Sequence, residues 1–68
     1  MPNHTYKKME IVGSSTIGID DAINNAVARA SKSVHNIRWF EMEEVRGHVD
    51  KGKVAHWQVT VKIGFTLD

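Results

Sequence analysis

The chain contains no cysteine among its 68 residues, so disulfides and thiolate metal sites are excluded. Its single proline is Pro2, and no later helix or strand is interrupted by a ring that removes a backbone donor. No apolar stretch approaches the ~20 residues a bilayer-spanning helix needs. Charge of one sign is also scarce: the net charge is +1, with acids and bases interspersed. A nucleic-acid binder carries a basic patch or stripe, and none is visible. The start, Met1-Pro2-Asn3-His4-Thr5, lacks the charged and apolar regions of a secretory signal. A soluble cytoplasmic protein is the expectation, with neither nucleic acid nor membrane as partner.

One domain over residues 1–68 is all the length allows. A domain so small buries only about 60% of the surface its unfolded chain exposes. Small domains make up that deficit with disulfides, a structural metal or oligomerisation, and the missing cysteines leave oligomerisation open.

What is present reads as β-α-β-β. Thr5 to Val12 forms a strand pattern that ends at Gly13. Ser14, Ser15 and Thr16 each offer a hydroxyl that caps a helix start, and Asp20 and Asp21 then fall where the helix dipole favours acids. Ile19, Ile23, Ala26, Val27, Ala30 and Val34 recur at helical spacing, with Asn24, Asn25, Arg29, Lys32 and Ser33 between them. This is an amphipathic helix with one buried stripe. Two strand-like runs follow, Ile37 to Val49 and Lys53 to Leu67, joined by a glycine-bearing hairpin signal at Asp50-Lys51-Gly52-Lys53. The last run alternates, with Ala55, Trp57, Val59, Val61, Ile63, Phe65 and Leu67 on one side. The fold class is α+β: a three-stranded antiparallel sheet curled around one amphipathic helix.

A two-residue turn at Lys51-Gly52 sets the register. Phe40 falls beside Ile63 and Met42 beside Val61 on the helix side; Glu41 meets Lys62 on the other, a favourable cross-strand charge pair. Trp39 lies opposite Gly64, on the polar outer face. The apolar step from Met42 to Val45 breaks the alternation and predicts a bulge near Glu43-Glu44.

An indole on an outer face either packs against another subunit, as aromatics at interfaces do, or stacks a planar ligand. Trp57, on the apolar side, is expected in the core. Gln58 shares the outer face, and its amide suits the mixed edge of a heterocycle or simply water. It pairs near Val45, roughly 20 Å from Trp39 at about 3.4 Å per residue. The two can share one small ligand only if different subunits supply them. Arg46 is a planar donor for a phosphate or for a salt bridge. His48 and His56 come close in the hairpin but on opposite faces, and no metal site is expected. Gly13-Ser14-Ser15-Thr16 lacks the spacing and lysine of a phosphate loop. No nucleophile-base pair or convergent carboxylates emerge, so an enzyme is not expected.

The ordered set Tyr6-Lys7-Lys8-Met9-Glu10-Ile11-Val12-Gly13, Asp21-Ala22-Ile23, Ala28-Arg29-Ala30, Trp39-Phe40-Glu41, Arg46-Gly47-His48 and Ala55 to Phe65 resembles the dodecin family from about Tyr6 to Leu67. The resemblance implies a hollow homododecamer of tetrahedral symmetry that binds flavins in pairs at twofold axes, stacked between symmetry-related tryptophans. Trp39 stands at that tryptophan, Gln58 at the glutamine that hydrogen-bonds the isoalloxazine edge, and Arg46 at an arginine that holds the phosphate of flavin mononucleotide (FMN). Two departures bear on the flavin tail. Thr66 stands where bacterial members typically carry arginine, and Arg38 where aspartate is common, so Arg38 is a candidate for the missing positive charge. Whether FMN or riboflavin is preferred stays open. Some bacterial dodecins also bind coenzyme A near threefold contacts, and Lys7, Arg29 and Lys32 are the matching basic positions. The implied role is flavin storage and sequestration; the alternative is an assembly module with the same shell and a lapsed or different ligand site.

Overall fold

The structure, a computed structural model, describes residues 3–67. Its elements are β1 (Tyr6–Ser15), α1 (Ile19–Ala30), β2 (Ile37–Asp50) and β3 (Lys53–Thr66), the β-α-β-β order the periodicities predict. All pairing is antiparallel and the sheet order is β1-β3-β2. The strand with the cleanest alternation is thus the central one: Val59, Val61 and Ile63 on its helix side are fully buried.

β1 does not stop at Gly13. Gly13 pairs with Val59 and the strand runs on to Ser15, because this glycine serves helix packing. A Cβ added there would strike the Ala22 carbonyl oxygen and lie 2.6 Å from the Ala26 Cβ. Its bare Cα lets α1 seat directly on the sheet.

None of the three expected hydroxyls occupies the N-cap, which is Gly18. Ser15 organises the connection from three residues earlier. Its Oγ accepts hydrogen bonds from the Ile17 and Gly18 N–H groups (2.8 and 3.3 Å) and donates to Asp21 Oδ2 at 2.6 Å. Asp20 and Asp21 do fall in the first turn. The helix ends at Ala30, short of Val34, in a tightened turn where the Ser33 and Val34 N–H groups both reach the Ala30 carbonyl. Asn36 then takes φ 64°, and its carbonyl accepts the Thr66 N–H.

Lys51 and Gly52 form the two-residue turn, with φ values of 53° and 77°. Positive φ at both central residues marks the mirror-image turn whose twist suits a hairpin. The expected pairs Trp39↔Gly64, Phe40↔Ile63, Glu41↔Lys62 and Met42↔Val61 are present. The bulge falls at Glu43, between Met42↔Val61 and Glu44↔Thr60, and a second irregularity at Ala55, between His48↔His56 and Val49↔Val54, restores the register. The middle of the hairpin is thus shifted by one residue, and a third irregularity at Arg38, between Ile37↔Phe65 and Trp39↔Gly64, shifts the start of β2. Gln58 therefore faces Arg46 rather than Val45, and His48 and His56 share a face instead of lying on opposite ones.

α1 packs on β1 and β3 and leaves the helix side of β2 uncovered. Phe40, Met42 and Val45 there remain 49%, 42% and 43% exposed. Trp57, expected in the core, is half-buried against the N-terminal end of the helix. Past Ser15↔Trp57 the β2–β3 hairpin continues as a two-stranded arm, and the chain measures 55 Å along its longest axis. The radius of gyration is 14.2 Å, against about 11 Å for a compact chain of this length. Accessible surface is 5066 Å², where a compact monomer of this mass exposes about 4300 Å². Apolar patches of this kind mark interaction surfaces.

Candidate functional site

The outer face of the sheet carries the candidate site. Trp39 follows Arg38, which has no partner of its own in the ladder between Ile37↔Phe65 and Trp39↔Gly64. The indole lies flat over Gly64, so that a Cβ added to this glycine would collide with indole Cε2 and Cζ2. Glycine is the residue that lets a ring rest directly on the strand. The Tyr6 ring stands edge-on to the indole, centroids 5.1 Å apart at 68°, a favoured aromatic geometry. Trp39 stays 37% exposed. It is held from below and from one edge, and forms a platform for a planar ring.

Charged groups frame the platform. Arg38 Nε donates to Thr66 Oγ1 at 3.2 Å, which buries the threonine and fixes the root of the guanidinium beside the indole. Lys8 Nζ lies 2.8 Å from Glu41 Oε1, an ion pair that reaches from β1 across β3 to β2. Glu41 sits opposite Lys62 as expected, yet its close ion pair is with Lys8; Lys62 takes the bulged Glu43 instead, at 2.8 Å. The ammonium of Lys8 holds the Glu41 carboxyl below the usual carboxylate range, with a smaller contribution from the Trp39 side chain. Hydrogen bonding to Glu43 likewise raises the Lys62 ammonium above its ordinary value.

Arg46 and Gln58 are direct cross-strand neighbours, on the same outer face but at the far end of the sheet. Gln58 and Gly64 are six positions apart on β3, about 20 Å at the rise of an extended strand. One chain therefore brings Trp39, Arg38 and Thr66 together at one end and Arg46 and Gln58 together at the other.

Of the three basic positions tied to coenzyme A, Arg29 and Lys32 line one open groove of about 480 Å³ between α1 and β1, with Ser14 and Asn25. Lys7 does not line it and sits opposite Phe65. A second open groove, about 590 Å³, runs past Trp57, Ile17 and Asp21. Among the described residues no group of three or more His, Cys, Asp or Glu could hold a metal ion, and no helix is long and apolar enough to cross a membrane.

Sequence reasoning did not single out Tyr6 or Lys8 for this site. Their placement needs β1 to pair with β3 in the Tyr6↔Thr66 register. The two-residue alternation of β1 was the available signal, since it puts Tyr6 and Lys8 on one face.

Comparison with known proteins agrees with this geometry. The family model described as Dodecin matches residues 5–68. The dodecin of Thermus thermophilus is 43% identical over 63 residues, covering 93% of this chain and 91% of that protein. The solved dodecin from Streptomyces davaonensis is 55% identical, with a TM-score of 0.95 over 98% of each chain. A more distant structure, the calcium-chelating calcium dodecin of Mycobacterium tuberculosis, is 31% identical with a TM-score of 0.81, over 94% of this chain and 91% of that one. With the match running from the first strand to the last residue, and the fold superposing throughout, this chain belongs to the dodecin family.

Proposed function

We propose that the protein is a flavin-binding storage and sequestration protein that assembles as a hollow homododecamer, with flavin pairs stacked between symmetry-related Trp39 side chains at twofold axes. The observation that carries this reading is the Trp39 platform, an indole seated on Gly64 and steadied by Tyr6 on the outside of the sheet. Stacking contributes about 0.5–1.5 kcal/mol per aromatic pair beyond area burial. Gln58 would hydrogen-bond the isoalloxazine edge, while Arg46, or Arg38 anchored on Thr66, would meet the tail. Because Gln58 and Trp39 lie at opposite ends of one sheet, they serve one flavin only from different copies. The bare apolar side of β2 and the elongated chain favour such an assembly. In this reading the protein holds its flavin in the cytoplasm without turning over a substrate.

The test is titration of flavin-free protein into riboflavin and into FMN, following flavin fluorescence. Strong quenching that saturates near one flavin per chain is expected, and the two affinities rank the flavins. No quenching with either overturns the reading. A second reading, the same shell with a different ligand, draws on the groove that holds Arg29 and Lys32 together, a fit for the phosphates of a ligand such as coenzyme A.

A further inference from the structure

The His48 and His56 rings stack face to face on the arm, centroids 4.4 Å apart and 18° from parallel. They are direct partners across the hairpin, brought onto one face by the compensating irregularities at Glu43 and Ala55. Without that one-residue shift over the middle of the hairpin the two imidazoles would point to opposite sides, as the unbroken register predicts. Each lies on a different strand of a two-stranded ribbon that extends past the end of β1, and a two-stranded hairpin alone is at best marginally stable in water.

We propose that His48 and His56 form a bidentate site for a late first-row transition-metal ion, with Zn²⁺ as the probe. Imidazole nitrogen suits these ions, at about 2.0–2.1 Å for Zn²⁺. Two nitrogens on a tetrahedral ion then lie about 3.3 Å apart. The rings, 4.4 Å apart at their centroids and 18° from parallel, must unstack and turn their planes by several tens of degrees before both in-plane lone pairs meet one ion, a change of side-chain torsions that leaves the backbone ladder in place. His48 is exposed and His56 half-buried, so an ion reaches them from solvent. No third His, Cys, Asp or Glu completes the set among the described residues, so water fills the remaining positions and binding is reversible. Arg46 flanks the pair on one side and the Asp50–Lys53 pair on the other; the arginine weakens the site and the aspartate supports it. The bound ion clips β2 to β3 where the sheet is thinnest.

Because Arg46 and Gln58, the residues assigned to the flavin, neighbour the pair on the same face, the test uses flavin-free protein at neutral pH. Zn²⁺ is titrated by calorimetry while the imidazole ring protons are followed by NMR, in the wild type and in His48→Gln, His56→Gln and His35→Gln. Two tethered ligands bind on the order of 100-fold more tightly than one. Both arm variants are expected to lose roughly that factor, with the His35 variant unchanged and the ring shifts confined to His48 and His56. Gel filtration shows whether each variant keeps the wild-type assembly after the polar swap at exposed His48 or half-buried His56. Saturable Zn²⁺ binding that survives either arm variant, or ring shifts centred on His4 or His35, overturns the proposal. So does the absence of any saturable binding, which would leave the stacked pair as cross-strand packing alone.

Discussion

Gly13 offers a direct test of how the helix is seated. In Gly13→Ala the new methyl collides with the Ala22 carbonyl and lies 2.6 Å from the Ala26 Cβ, whereas carbon atoms rest about 3.5–4.0 Å apart. Both obstacles belong to α1, and the carbonyl is backbone, so no side-chain rotation relieves the clash. The helix must withdraw by about 1 Å. That movement loosens the contact of Ala22 with Val59 and Val61, the fully buried centre of the core. Overpacking costs about 1–3 kcal/mol when neighbours can shift, and a rigid obstacle puts this case near the upper end, about 3 kcal/mol. In a domain of this size 1 kcal/mol moves Tm by about 4–8 °C, so a fall of roughly 12–24 °C is expected. Gly18→Ala is the control: no atom lies within 4 Å of its added Cβ, its φ of 171° is extended backbone, and a loss under about 1 kcal/mol is expected. Circular dichroism during heating and in urea, at one fixed chain concentration because assembly shifts apparent stability, reads both variants. If Gly13→Ala melts within a few degrees of Gly18→Ala, the close seating of α1 on β1 is wrong.

Trp39→Ala should weaken flavin binding while leaving assembly largely intact; loss of stacking on a flat heterocycle costs about 1–3 kcal/mol, a roughly 5- to 150-fold rise in Kd, and an unchanged Kd in the fluorescence titration removes the platform model. Thr66→Arg should strengthen binding of FMN more than of riboflavin, and equal effects on both would show that position 66 does not face the phosphate. Lys8→Met should raise the Glu41 pKa toward its ordinary value in an NMR titration of the carboxyl, since the Lys8 ammonium is the main cause of its depression. A depressed carboxyl stabilises the fold above its unfolded pKa and loses that contribution as pH falls through the folded pKa; with both partners exposed the stability effect is small, and a Glu41 pKa that does not move refutes the pairing.

Element order, the amphipathic helix, the hairpin turn and the pairing of Trp39 with Gly64 follow from the sequence by itself. They rest on short-range rules: alternation of two along a strand, a period of 3.6 along a helix, and the backbone demands of a two-residue turn. Even the bulge at Glu43 was legible, because Met42 and Val45 cannot share a face without one. Its correction at Ala55 was not, since Val54, Ala55 and His56 carry no sign of which residue the ladder will skip. That choice depends on the partner strand, and it decides that His48 stacks on His56 and that Arg46 meets Gln58. Gly13 looked like the end of a strand because a glycine in isolation marks a break. Only the helix crossing above it turns the missing side chain into a packing requirement. The ion pairs show the same dependence: Glu41 faces Lys62 in the ladder but bonds to Lys8, two strands away, because the sheet order β1-β3-β2 puts both side chains on the same face across β3. Local periodicity thus settled which residues lie on which face over most of the chain. Which of them touch was left to the tertiary structure, where strand order and the seating of one helix bring together residues that no sequence spacing relates.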